Sequence, residues 1–189
     1  MNVTIDIVSD LVCPWCFIGK RRLAEALALV EDQHPETRFQ VNWLPFFLNP
    51  DTPPEGEPYR SFLEAKFGGA KQVHELQRRV TEAGNEVELA FNFERIVTRP
   101  NTLRAHCLVY RAQSIGHRPT AVEALVERLF AAHFQRGDDI GDVTTLADIA
   151  AACGDRKDEV LAYLESGAGE PQVRSLADKV GALGVTGVP

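Results

Sequence analysis

Residues 8–20 read Val8-Ser9-Asp10-Leu11-Val12-Cys13-Pro14-Trp15-Cys16-Phe17-Ile18-Gly19-Lys20. They place two cysteines three positions apart, where an apolar strand pattern gives way to a helical one. A Cys-x-x-Cys pair beside a strand–helix unit is typical of a thiol–disulfide redox site. The first cysteine then lies at a helix N-terminus, whose unpaired N–H groups and positive dipole end favour the thiolate. We therefore predict that Cys13 is the nucleophile, with a lowered pKa, and that Cys16 resolves the mixed disulfide.

The surroundings of the pair argue against three other uses of it. A zinc site needs two further ligands, whereas Cys107 and Cys153 stand alone and no histidine lies near the pair. A purely structural disulfide would add little stability, because closing so short a loop removes little entropy from the unfolded chain. Ordinary core cysteines would not require Pro14 and Trp15 between them. The sequence therefore predicts redox chemistry that uses neither a metal nor an organic cofactor.

The residues on either side of the pair predict a strand–helix–strand unit. Apolar and polar residues alternate over residues 3–8 and again over residues 39–43, which predicts two strands. Residues 13 to about 32 carry apolar side chains at helical spacing. A unit of this kind that returns to the same sheet is parallel and right-handed. The cysteine pair then lies at the carboxyl end of the first strand, where open α/β sheets usually have their sites.

The middle of the chain has a different pattern. Residues 49–58 contain four prolines and predict a connecting loop that is neither helix nor strand. The alternation from Val87 to Glu94 predicts a further strand. Helical spacing and stop signals predict the remaining elements, which are helices over residues 59–67, about 73–83, 101–115, 119–136, 143–153, 157–165 and from 171 to just before 184.

The motif Ser9-Asp10-x-x-Cys13-Pro14-Trp15-Cys16-x-x-Gly19 resembles the DsbA-like branch of the thioredoxin superfamily, specifically its FrnE-type proteins. That branch is related to 2-hydroxychromene-2-carboxylate isomerases and kappa-class glutathione transferases. Further similar stretches cover nearly the whole chain; they are Leu48-Asn49-Pro50-Asp51, Phe91-Asn92-Phe93, Pro100-Asn101-Thr102 and Gly184-Val185-Thr186-Gly187-Val188-Pro189.

The resemblance implies an α/β fold of a particular kind, a thioredoxin-like fold with an inserted all-helical domain. Residues 1–48 would form the βαβ portion, residues 49–167 the helical insertion, and residues 168–189 the return helix and a cis-proline loop. Val188 and Pro189 match that loop, which in this superfamily faces the cysteine pair and offers its backbone to an extended substrate. Together with Pro14 and Trp15, they are the predicted substrate-binding residues.

A thioredoxin-type sheet needs further strands after its proline loop. In this sequence only the strands over residues 3–8 and 39–43 are predicted to pair with each other. A parallel pair of strands without neighbours leaves exposed edges and a thin core. We therefore expect the fold to be truncated after this loop. The native protein should continue for about 25 or more residues, enough for two strands, a turn and a helix.

Composition limits the partners. The formal charge of −7 argues against nucleic acid, which would need a basic face. No apolar run approaches the roughly 20 residues that span a bilayer, and the first residues lack the features of a signal peptide. The sequence therefore predicts a cytoplasmic protein without a membrane contact. Its expected partners are protein or small-molecule thiols and disulfides, glutathione among the candidates; the oligomeric state stays open.

Two alternative functions stay open beside a thiol–disulfide oxidoreductase. One is a glutathione-dependent isomerase or transferase of the kappa-like branch, and the other is a non-enzymatic peptide-binding module. The intact Cys-x-x-Cys favours the oxidoreductase, because a second cysteine is superfluous for binding glutathione alone.

Other polar residues have ordinary structural interpretations. Cys107, Cys153 and His133 fall on apolar helix faces and are expected to be buried. Lys20 and the two arginines that follow it are expected on a solvated helix face, and Asn101 is expected to cap a helix. The four remaining histidines have no carboxylate or cysteine at a catalytic spacing; they are His34, His74, His106 and His117.

Overall fold

The structure is a computed structural model that describes residues 1–189. It begins with a strand–helix–strand unit: β1 (Asn2–Ser9), α1 (Pro14–Gln33) and β2 (Arg38–Pro45). β1 and β2 pair in parallel along their whole length, from Asn2 opposite Arg38 to Ser9 opposite Pro45. The alternation and the change to helical spacing thus predict this part of the fold correctly. The cysteine pair follows the carboxyl end of β1.

The rest of the chain is mainly helical. Its elements in order are β3 (Glu57–Pro58), α2 (Tyr59–Phe67), α3 (Ala70–Asn85), a 3₁₀ turn (Phe93–Arg95), β4 (Thr98–Arg99), α4 (Leu103–Ser114), α5 (Pro119–Ala131), which continues as a π-helical turn (Ala132–Arg136), α6 (Val143–Ala151), α7 (Lys157–Ser166) and α8 (Glu170–Ala182). No helix combines the length and the apolar character that crossing a membrane requires.

The predicted strand over residues 87–94 is wrong. Val87 and Leu89 are buried, as alternation implies, but both of their N–H groups donate to the carbonyl oxygen of Gly84 at the end of α3, at 3.0 and 2.9 Å. Glu88 between them has a φ of 58°, which interrupts an extended chain. Alternate burial therefore arises here from a tight turn, with no neighbouring strand.

The loop over residues 49–58 is not wholly irregular either. Its last two residues, Glu57 and Pro58, form β3 and pair antiparallel with β4. Proline is tolerated in such a short ladder because it can lie where no N–H donor is needed. The ladder holds the start of α2 against the segment that leads into α4.

An aromatic cluster fixes α1 against the helical part of the chain. Phe17 follows the cysteine pair directly and is fully buried. Its ring stacks on Phe130 of α5 at a centroid distance of 5.0 Å, and on Phe134 of the π-helical turn at 6.4 Å. Such pairs add to the free energy that area burial already contributes. The N-terminal turn of α1 is thereby held in one position.

Candidate active site

Cys13 and Cys16 lie in the first turn of α1. Cys13 is the residue that caps the helix, with extended backbone, and Pro14 takes the first helical position, where its missing N–H is not needed. The backbone N–H of Cys16 donates to the Cys13 Sγ at 3.3 Å. Both cysteines are free thiols, and only 3% of Cys13 and 5% of Cys16 is exposed. The sequence-predicted pair is therefore brought together at a helix N-terminus.

The C-terminal loop lies against the pair. The Cys13 thiol faces the backbone carbonyl oxygen of Val188 at 3.9 Å. The peptide bond between Val188 and Pro189 is cis. A backbone acceptor from the far end of the chain thus stands beside the sulfur that the sequence marks as the nucleophile.

Asp10 supports the turn that carries Cys13. Its carboxylate is buried, with 1% of the residue exposed. Its backbone carbonyl accepts the Cys13 N–H at 3.0 Å, and its Oδ2 accepts the Leu48 N–H at 2.8 Å. Its Oδ1 lies 3.4 Å from Nε2 of His106. Sequence reasoning missed this pair, because nothing in the spacing of two residues so far apart in the chain links them.

The pKa values of the two thiols move in opposite directions. A hydrogen bond with Cys13 lowers the pKa of Cys16. The hydrogen bond with Cys16, together with burial, raises the pKa of Cys13. The negative charge of Asp10 raises the pKa of both thiols. The prediction that the pKa of Cys13 is lowered is therefore wrong for the dithiol. The two thiols titrate as a pair, and the lowered pKa is that of the first proton that the pair loses.

A cleft of about 450 Å³ opens beside Cys13. Pro14, Trp15 and Val188 line it together with Cys13, whereas Pro189 lines a neighbouring cavity that contains Cys16. Trp15 is 42% exposed although it is large and apolar. Three of the four predicted substrate-binding residues therefore share one cavity with Cys13.

Helices α2 and α3 form the other wall of this cleft, which the sequence did not predict. Phe62 and Phe67 of α2, with Leu76 of α3, contribute apolar side chains to it. Phe67 and Leu76 are both exposed. The signal that could have indicated this wall is the exposure of large apolar residues on two neighbouring helices. The spacing of residues in the sequence does not show which of them are exposed.

Lys20 does not lie on a solvated helix face, contrary to the prediction. Only 7% of the residue is exposed. Its Nζ lies 2.8 Å from Oε2 of Glu127 and 2.5 Å from Oε1 of Glu123, both on α5. Arg21 also pairs with Glu127, at 2.5 Å. These ion pairs hold α1 against α5 in addition to the stacking of Phe17 on Phe130.

The expected burial of Cys107 and His133 is found, whereas Cys153 is only half-buried. Burial raises the pKa of Cys107 to about 12 and lowers the pKa of His133 to about 4. His133 also lines the cleft beside Cys13, a position that the sequence did not indicate. Asn101 lies one residue before the cap position of α4, but its Oδ1 still accepts a first-turn N–H, that of Leu103, at 3.0 Å.

A parallel βαβ unit, with a Cys-x-x-Cys pair at a helix N-terminus that faces a C-terminal Val-Pro loop, is the arrangement of a thioredoxin-like protein. The DSBA-like thioredoxin domain family matches residues 4–189. The chain belongs to this family. Its fold is therefore the DsbA-type thioredoxin fold that the motif around the cysteines implies.

Three relatives illustrate the similarity. YwbO of Bacillus subtilis, an uncharacterized protein, is 28% identical over 156 residues, which are 82% of this chain and 68% of YwbO. The probable DsbA oxidoreductase of Streptomyces coelicolor superposes with a TM-score of 0.81 at 28% identity, over 98% of this chain and 78% of that one. The cytosolic disulfide reductase DsbM of Pseudomonas aeruginosa, solved with glutathione, gives a TM-score of 0.66 at 17% identity, over 99% and 84%. Family and fold together support an oxidoreductase that acts on thiols or disulfides.

Proposed function

We propose that this protein is a thiol–disulfide oxidoreductase in which Cys13 attacks the substrate and Cys16 resolves the mixed disulfide. The observation that carries the proposal is the position of Cys13. It caps α1, accepts the Cys16 N–H and lines an apolar cleft large enough for part of a substrate. Cys16 lies behind it, within reach of its sulfur through their hydrogen bond.

The reaction needs only the two sulfurs and a substrate disulfide. The thiolate of Cys13 attacks one substrate sulfur, the substrate S–S bond breaks, and one substrate thiolate leaves. The Cys16 thiolate then attacks Cys13, forms the intramolecular disulfide and releases the second substrate thiolate. The substrate gains two electrons and the pair loses two. The reverse sequence oxidises a dithiol substrate by the same path.

Both thiols are almost fully buried, so the nucleophile is assigned by the cleft that each one lines and not by overall exposure. Cys13 lines the cleft that also contains Trp15 and Val188, whereas Cys16 does not. The backbone of Val188 is offered to an extended substrate, as the resemblance implies. The proposed helical insertion, residues 49–167, would supply the opposite wall of this cleft through α2 and α3.

The proposed location is the cytoplasm, and the proposed partners include glutathione, which is the thiol solved with DsbM. A small cellular thiol would return the oxidised pair to the dithiol. A glutathione transferase or isomerase needs one activating group, so the second cysteine and its hydrogen bond to the first favour the redox reaction.

Insulin reduction, measured beside glutathione conjugation to an electrophile, tests the proposal. The wild-type protein should catalyse insulin reduction, and Cys13→Ser should abolish it. Cys16→Ser should accumulate a mixed disulfide on Cys13 that intact-mass measurement detects. Cys153→Ser is the matched control, since this half-buried thiol lies outside the pair, and it should retain activity. Conjugation that persists in Cys16→Ser, without any insulin reduction by the wild type, would support the transferase instead.

A further inference from the structure

The charge of the cleft beside Cys13 differs from that of the whole chain. The protein has 27 acidic and 20 basic residues. Among the 20 residues that line the cleft, none is Asp or Glu, whereas Lys66, Arg79 and Arg99 are present. Most of the remaining lining is apolar. A cavity of this kind favours a ligand that is itself apolar and carries negative charge.

Two of the three cations are already paired. Arg99 forms an ion pair with Glu57, which is also its partner in the β3–β4 ladder. Arg79 Nε lies 3.0 Å from Oε1 of Glu75 on the same helix. Since each of these cations has a carboxylate in contact, neither supplies uncompensated charge to a ligand.

Lys66 supplies the uncompensated charge. Its Nζ donates to the neutral Oδ1 of Asn49 at 2.7 Å and forms no ion pair. It lies 5.4 Å from the ring centroid of Phe62 and 5.9 Å from that of Phe67, two aromatic residues of the cleft wall. The ammonium group is therefore held directly over the apolar lining. An anion bound in the cleft would meet it without displacing a carboxylate.

Buried polar groups on the same wall also lack partners. The Nε of Arg99 and both ring nitrogens of His133 have no hydrogen-bond partner. Both side chains are more than nine-tenths buried and both line the cleft. Because these atoms themselves expose almost no surface, they are not presented to a ligand in the open cleft. The charge that a bound anion meets there is therefore that of Lys66.

We infer that the cleft binds small thiols and disulfides with an apolar body and a carboxylate, and that Lys66 pairs with this carboxylate. The inference rests on the proposed function, because the ligand sulfur must meet Cys13. The cleft volume of about 450 Å³ is that of a small-molecule site. The dithiol reduces such a disulfide to two thiols, Cys13 forming the mixed disulfide and Cys16 releasing the second thiolate, while the pair becomes a disulfide.

Two small disulfides of opposite charge test this directly. Reduced full-length protein is mixed with 3,3′-dithiodipropionate, which carries carboxylates, or with cystamine, which carries ammonium groups on a similar chain. The second-order rate constant with dithiodipropionate is divided by the one with cystamine. This ratio is then divided by the same ratio measured for dithiothreitol, a neutral dithiol. We expect this normalised ratio to exceed one. Lys66→Gln should lower it by about two- to fivefold, the effect of one exposed ion pair, and added salt should lower it too.

Lys71→Gln is the matched control, because Lys71 is an exposed lysine near the start of α3 that does not line the cleft. It removes the same charge from the protein and should leave the ratio unchanged. A wild-type ratio of one or less, or equal losses in both variants, would overturn the inference while leaving the redox function intact. If neither disulfide oxidises Cys13, the proposed function itself fails.

Discussion

The Cys13 Sγ and the Val188 carbonyl oxygen lie 3.9 Å apart, although 175 positions separate them in the chain. The first turn of α1 and the C-terminal loop therefore form one site. The loop covers one side of the sulfur, and the cleft between α1 and helices α2 and α3 leaves another side accessible. A substrate sulfur can approach Cys13 from that cleft.

The two thiols should ionise as a pair. Cys13→Ala removes the hydrogen bond that lowers the pKa of Cys16, so the remaining thiol should ionise at higher pH than the first proton of the wild-type pair. The ultraviolet absorbance of the thiolate, followed against pH in both proteins, measures this. Identical first ionisation in wild type and Cys13→Ala would show that the thiols are not coupled. Cys153→Ser controls for loss of a thiol elsewhere.

Asp10→Asn should make the pair more acidic. The carboxylate raises the pKa of both cysteines by its charge, and asparagine keeps an oxygen that can accept the Leu48 N–H. Alkylation by iodoacetamide near neutral pH should therefore become faster. Asp6→Asn removes an exposed carboxylate from β1, the strand that precedes Asp10, and should change the rate little. A slower reaction in Asp10→Asn would mean that the carboxylate accepts a proton from the pair.

Lys20 should matter more for stability than its neighbour Arg22. Lys20→Met leaves Glu123 without a cation and should lower the free energy of unfolding by about 1–3 kcal/mol. Arg22→Met breaks an exposed pair with Glu86 and should cost less than about 0.5 kcal/mol. Urea unfolding of both variants gives the comparison. Equal losses of unfolding free energy in the two variants would mean that the burial of Lys20 does not strengthen its ion pairs.

The start of the fold was predictable because its signals are local. Alternation gave β1 and β2, and the Cys-x-x-Cys spacing placed Cys13 at a helix start. The loop opposite the pair required the family resemblance, since its residues contact Cys13 only through the tertiary fold. Alternation failed over residues 87–94, because a turn at the end of α3 buries alternate residues as a strand does.

The missed parts of the site depend on distant residues. Three consecutive basic residues after the motif are typical of solvated helix surface, and only the packing of α1 on α5 shows that Lys20 meets two glutamates. The contact between Asp10 and His106 has the same origin. The wall formed by α2 and α3 could not be predicted either, because helical periodicity identifies an apolar face without showing whether another element covers it.

His133 should make the protein sensitive to acid. Burial lowers its pKa to about 4, whereas an exposed histidine in the unfolded chain titrates near 6.5. Between these values the unfolded state binds more protons, so the free energy of unfolding falls as the pH drops from about 6.5 toward 4. The stabilisation is complete above the upper value, and the loss should reach about 2–3 kcal/mol.

The test of this pH dependence is urea unfolding at a series of pH values. His133→Met replaces the ring with an apolar side chain that does not titrate, so its stability should decline less steeply over that interval than the wild type. His74→Gln removes an exposed histidine and should reproduce the wild-type slope. Parallel pH curves for His133→Met and wild type would show that His133 is already protonated, or solvated, in the folded protein. A flatter curve for His74→Gln alone would assign the acid sensitivity to the surface.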